Sequence, residues 1–273
     1  KSDKLKEIMA NLDYNKFKDK GLADKIPIIG FALSLGFEKG IYEGEFFENW
    51  LRDLLINAPN KPIKTFRDLR MDSDDPKYQY KLQVIATDVS RGKMLVLPHD
   101  IEDYGIDPDD LEVAKAVRMS MSIPFFYEPV ILKDKNNHDC YIVDGGILSN
   151  YPVWIFDEGS ADPSWPTLGY KLVEPESGRP NTINGPITLF AALFSTMMDA
   201  HDARYIEDAD FVRTIPIPTL GVRTTDFDLP KEKSDDLYES GRDAAEEFFQ
   251  SWDFAKYKAK YRQTKPLKRR QKV

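Results

Sequence analysis

Apolar residues recur every three or four positions in two stretches near the start of the chain. Leu5, Ile8, Met9 and Leu12 share one helical face behind Ser2, a candidate N-cap. Phe46, Phe47, Trp50, Leu51, Leu54 and Leu55 form a similar face after Gly44, while residues 13–31 are polar and irregular. The period then changes. "KLQVIATDVSRGKMLVLP", residues 81–98, reads as two strands joined by a turn at Ser90-Arg91-Gly92-Lys93. Asp107 is a plausible N-cap with Pro108 at the first helical position, so the spacing predicts one helix that stops before Pro124. Residues 130–132 and 141–143 read as a strand pair around a charged loop, and 167–173 and 211–218 as further strands. A long helix is expected from Pro186 to about Tyr205. A last one is expected behind Ser234, with Leu237, Gly241, Ala245, Phe248 and Phe249 inward. Strands and helices alternate, which predicts an α/β layered fold.

Composition narrows the function classes. The net charge is −8, the opposite sign to that of a typical nucleic-acid-binding domain, so no nucleic-acid partner is expected. Cys140 is the only cysteine, so there is no intrachain disulfide, which fits a reducing, cytoplasmic setting. No run reaches the roughly 18 apolar residues of a membrane span. The nearest, "ITLFAALFSTMM" at 187–198, is too short and reads as a buried helix. No leader segment is visible at the start. Residues 256–273 carry nine basic residues and no acidic one. They read as a solvated basic tail behind a single domain at 1–255, with attraction to an anionic lipid surface as the functional counterpart.

One stretch carries candidate chemistry. In "CYIVDGGILSNYPV", residues 140–153, an apolar strand ends on Asp144, and Gly145 and Gly146 follow. A carboxylate at the C-terminal end of a strand stands where α/β proteins place their sites. The two glycines let the chain turn sharply and let another group approach closely. The same residues also describe a simple Asp-Gly turn.

A wider set of segments separates these readings. "VIATDVSRGKMLVLP", "AVRMSMSIPFFYEPV" and "VDGGILSNYPV", in this order, resemble the patatin-like phospholipases. "KGIYEGEFFENWL" before them and "TLGYKLVEP" after them extend the resemblance over residues 1 to about 250. The resemblance implies a lipid acyl hydrolase with a three-layer αβα fold. It implies a Ser–Asp dyad, with no catalytic histidine, no cofactor and no metal. The dyad aspartate comes from the Asp-Gly-Gly motif, here Asp144-Gly145-Gly146, and the two glycines then read as clearance for the serine. The serine lies in a Gly-x-Ser-x-Gly elbow behind a glycine-rich oxyanion loop. Neither motif is found in the chain. Both are expected upstream of Lys1, which would leave the domain incomplete at its N-terminus. The implied substrate is a phospholipid or other lipid ester, met through peripheral membrane contact.

Replacement nucleophiles within the chain fit poorly. Ser34 has Ala32 where the elbow needs glycine, and no helix pattern follows it. Ser90 and Lys93 match S-x-x-K but sit in a hairpin turn with Gly92 between them. Ser120 and Ser122 lie at a helix end, where a hydroxyl usually bonds nearby backbone. His99, His138 and His201 lack metal-ligand spacing. Two further readings stand beside the dyad. One is an α/β-hydrolase triad of an upstream serine, Asp144 and His201, which has the right chain order. The other, if the chain is complete, is a non-catalytic lipid-binding or interaction protein.

Overall fold

The computed structural model describes residues 2–18, 42–157, 162–173, 208–223 and 226–262, and single positions 160, 183, 185, 189, 192, 193 and 196. In chain order the elements begin with α1 (Ser2–Ala10), α2 (Glu45–Ile56), β1 (Val84–Asp88), β2 (Lys93–Leu97) and α3 (Val113–Ser120). Then come β3 (Val130–Lys133), β4 (Asp139–Asp144), α4 (Gly146–Ser149) and β5 (Gly169–Val173). The chain continues through α5 (Asp208–Phe211), β6 (Thr214–Pro218), α6 (Lys231–Ser251) and α7 (Phe254–Tyr261). These elements fall into two compact units, a larger one within Lys16–Ile155 and a smaller one drawn from Lys1–Asn15, Phe156–Asn181 and Tyr205–Gln271.

The larger unit is built on an antiparallel sheet of order β2-β1-β4-β3. Both expected hairpins are present. β1 and β2 pair Val84 with Leu97 through Asp88 with Lys93, and β3 and β4 pair Val130 with Ile142 through Lys133 with Asp139. The hairpins join through β1 and β4, which set Ala86 opposite Asp144. β1 is buried at every position, because both of its neighbours and both of its faces are covered. On one face Ala86, Leu95, Leu97 and Ile142 pack with Phe66, Ile101, Ala116 and Met119. On the other, Ile85, Met94 and Val96 pack with Leu148, Trp154 and Ile155. Strand pleating sends successive residues to these two cores in turn.

α2 starts after Gly44, as the spacing predicts, and its apolar face meets Phe17. Ring centroids lie 5.4 Å from Phe47 and 5.7 Å from Trp50. The helix predicted behind Asp107 is divided. Asp107 does cap, its carboxylate accepting the Asp109 N–H at 2.8 Å, but only a 3-10 turn, Pro108–Asp110, follows. Leu111 and Glu112 are extended because the 64–66 segment pairs with them. Phe66 N–H donates to Leu111 C=O and Val113 N–H to Lys64 C=O, both at 3.0 Å. A long-range pairing interrupts the local helical pattern, and α3 begins only at Val113.

In the smaller unit β5 and β6 run parallel, with Tyr170 opposite Ile215 and Leu172 opposite Ile217. α6 packs on β6, and Gly241 passes close to the Ile217 side chain. This helix starts three residues before the expected cap at Ser234, whose N–H instead donates to Pro230 C=O at 3.0 Å. Residues 256–261, expected to open a solvated tail, belong to α7, capped by Asp253. Tyr257 is buried, and Arg262, just beyond the helix, is 2% exposed beside Asp157. Arg213, at 1% exposure, donates to Asp157 at 2.7 Å and to Asp210 at 2.6 Å. Residues 263–273 and most of the helix expected at 186–205 lie outside the described residues. With one antiparallel and one parallel sheet among the described residues, and helices interleaved with the strands, the fold is α/β.

Candidate active site

Asp144 is the last residue of β4, and its main chain is held from two sides. Across the sheet it faces Ala86. Beyond the sheet its N–H donates to Ser122 C=O at 2.9 Å, and the next N–H, of Gly145, reaches Ser120 C=O at 3.4 Å. The chain then turns at once into α4, where Ser149 N–H donates to Gly145 C=O at 2.9 Å. The result is a strand, a tight turn and a short helix.

The two glycines serve different ends. A Cβ on Gly145 would stand 2.3 Å from the Ile85 carbonyl oxygen, so the main chain of β1 requires glycine there. That is a packing demand, distinct from clearance for a catalytic partner. Gly146 contributes its N–H, which donates to the Asp144 carboxylate at 2.7 Å. Burial raises the Asp144 carboxyl to about 6, and the Gly146 N–H offsets this only in part. A carboxylate in that range is mostly ionised at neutral pH, yet close enough to ambient pH to accept and return a proton.

The other sequence candidates are engaged elsewhere. Ser122 is fully buried; its Oγ donates to Arg118 C=O at 2.8 Å and accepts from the Arg118 guanidinium. This is the backbone-bonded helix-end hydroxyl that its position suggests. Ser90 Oγ accepts the Tyr141 N–H at 2.9 Å, and Lys93 pairs with Asp103. Gly92 between them has φ +62°, so the S-x-x-K match is a hairpin turn. His99 lies edge-on to the Tyr80 ring, and His138 is exposed beside Asp134 at 3.3 Å. Ser34 and His201 lie outside the described residues. Among the described residues no cluster of His, Cys, Asp and Glu is arranged to hold a metal. No helix among them is long and apolar enough to cross a membrane.

Sequence reasoning missed Asp88, two positions beyond Ala86 on β1. It is fully buried. Its carboxylate accepts from the N–H groups of Ser90 and Arg91, from Arg91 Nε at 2.6 Å and from the Tyr104 hydroxyl at 2.8 Å. Burial pushes its carboxyl up, but Arg91 and Tyr104 outweigh that and leave it below the ordinary value. Two carboxylates of the sheet, Asp88 and Asp144, thus sit in opposite environments. Asp88 is locked as an anion that pins the β1–β2 turn, and burial holds the Asp144 carboxyl above its ordinary value. The signal for Asp88 was an aspartate two residues before the turn Ser90, a local bonding pattern typical of turns.

Two comparisons bear on this arrangement. The sequence profile described as patatin-like phospholipase matches residues 1–157, which include the strand-end turn, both glycines and Asp88. A relative from Bacillus subtilis (strain 168), the uncharacterized protein YqhO, is 40% identical over 223 residues, 81% of this chain and 72% of its own. The profile covers more than half of the chain and contains the site, so the chain belongs to the patatin-like phospholipases, a family of lipid acyl hydrolases.

Proposed function

We propose that this chain carries the aspartate of a Ser–Asp dyad that hydrolyses carboxylic esters of phospholipids or related lipids. The observation behind the reading is the Asp144 carboxyl at a strand–turn–helix corner, raised by burial to about 6 and met there by the Gly146 N–H. The nucleophile is a serine supplied from upstream of Lys1. Its Oγ attacks the acyl carbon while Asp144 takes its proton. Backbone N–H groups of the accompanying glycine-rich loop bind the oxyanion. Asp144 then protonates the departing alcohol, which leaves an acyl-enzyme. In the second half Asp144 takes a proton from water, hydroxide adds to the acyl carbon, and the fatty acid leaves as the serine recovers its proton. The scheme uses neither a metal nor an organic cofactor. The protein works in the cytoplasm at a membrane surface, which the basic residues of 263–273 help it reach.

The test is Asp144→Asn in the full-length polypeptide, assayed on a fluorogenic phospholipid. Loss of the base should lower kcat by about 10²–10⁴-fold. Activity within tenfold of wild type would remove Asp144 from the reaction. In the unsubstituted enzyme kcat/KM should rise with pH through about 6, as Asp144 ionises. A fluorophosphonate probe followed by peptide mapping should label a serine upstream of Lys1. Labelling of Ser34 would relocate the nucleophile into this chain, and no labelling at all would refute a serine hydrolase.

A further inference from the structure

We infer that Arg118 is a positioning residue for Asp144, acting through the Ser122 turn; this rests on the dyad reading above. Arg118 stands in the last turn of α3 and is 3% exposed. Its guanidinium donates to Ser122 Oγ, to Glu43 C=O and, at 2.9 Å, to Glu128 C=O. It lies over the Tyr127 ring, 5.4 Å from the centroid. It also fills the space left by Gly44, where a Cβ would come 2.2 Å from Nε.

Ser122 links this group to the site. Its hydroxyl returns a bond to Arg118 C=O at 2.8 Å, closing residues 118–122 into a ring. Its carbonyl accepts the Asp144 N–H at 2.9 Å. One side chain therefore ties the start of α2, the segment before β3 and the turn under Asp144 into a single assembly. Nothing in that chain of contacts requires the guanidinium to touch the carboxylate. The Asp144 carboxyl owes its environment to burial and to Gly146, so Arg118 acts by fixing where the strand end lies. A buried arginine holding two main-chain carbonyls is an ordinary structural device. What sets this one apart is that its third partner is the residue that holds the Asp144 main chain.

The experiment follows the Asp144 carboxyl directly, by ¹³C NMR titration of aspartate-labelled protein, with Asp144→Asn assigning the resonance. Arg118→Met and Ser122→Ala are compared with wild type. If the turn loosens and water reaches the carboxyl, its midpoint should fall towards the ordinary 3.8 by about half a pH unit or more in both variants. In the full-length enzyme kcat should drop about tenfold with KM nearly unchanged. The acid limb of the pH profile should follow the NMR midpoint, and Arg118→Lys should recover part of both effects. A midpoint that stays put or rises while only the thermal midpoint drops would reduce Arg118 to a structural role. Ser122→Ala removes a single hydroxyl and decides the question if Arg118→Met does not fold. The titration needs no nucleophile, so an active Asp144→Asn enzyme would sink the dyad and leave the positioning test standing.

Discussion

Replacing Asp144 by asparagine should stabilise the folded protein, by an amount that depends on pH. The fold holds this carboxyl at about 6 against an ordinary 3.8, so folding disfavours its ionised form. Between those values the folded state retains a proton that the unfolded state has released, and stability falls as pH rises through the window. Above it the penalty is complete. At about 1.4 kcal/mol per pKa step, the difference corresponds to about 3 kcal/mol. Solvent reaches part of the group, which brings the expected value nearer 2 kcal/mol. Asparagine keeps the shape, its amide oxygen can accept the Gly146 N–H, and it never ionises. Urea unfolding of both proteins at pH 5, 6, 7 and 8 measures the effect. The advantage of Asp144→Asn should grow by about 1 kcal/mol between pH 5 and pH 8 and level off above 7. Parallel stability curves for the two proteins would show that Asp144 is not desolvated, and the basis for its catalytic assignment would go with it.

Three other perturbations have defined outcomes. Gly145→Ala forces a methyl against the Ile85 carbonyl and should cost about 3 kcal/mol or prevent folding, read as a drop in thermal midpoint. Asp88→Asn can keep one oxygen for the Ser90 and Arg91 N–H groups but removes the charge and the second oxygen that Arg91 Nε and the Tyr104 hydroxyl bond, and should cost about 2–3 kcal/mol at pH 7. Because the Asp88 carboxyl is depressed in the fold, its contribution is present above the ordinary carboxylate range and lost on acidification. The urea midpoints of wild type and Asp88→Asn should therefore converge below about pH 4. Asp157→Ala strands the buried Arg213 beside Asp210 and should cost about 3–5 kcal/mol. The double replacement with Arg213→Met should cost far less than the two single losses together, as a double-mutant cycle in urea will show.

The two hairpins of the larger unit are legible in the chain because each rests on neighbouring residues and a local turn. The joining of β1 to β4 is not, and neither is the 64–66 pairing that splits the helix behind Asp107, since both depend on distant partners. The same holds for the ion cluster of the smaller unit, whose Asp157 and Arg213 stand 56 residues apart. α7 was hidden by its own charge. The lysines that suggested a solvated tail lie on a helix whose buried side is Tyr257. Asp144 could be singled out because a carboxylate, an apolar run and two glycines are adjacent. The first glycine's packing role could not, because the atom that imposes it belongs to Ile85.

That contact has a consequence over evolutionary time. Gly145 is confined by a main-chain oxygen, and every amino acid at position 85 would bring the same oxygen. No compensating substitution in β1 can free it. On the proposed dyad, a lineage that abandoned ester hydrolysis could let Asp144 drift, while Gly145 would persist as long as the sheet did. Among descendants of this fold, the glycine would report inherited architecture, and only the aspartate would report retained chemistry.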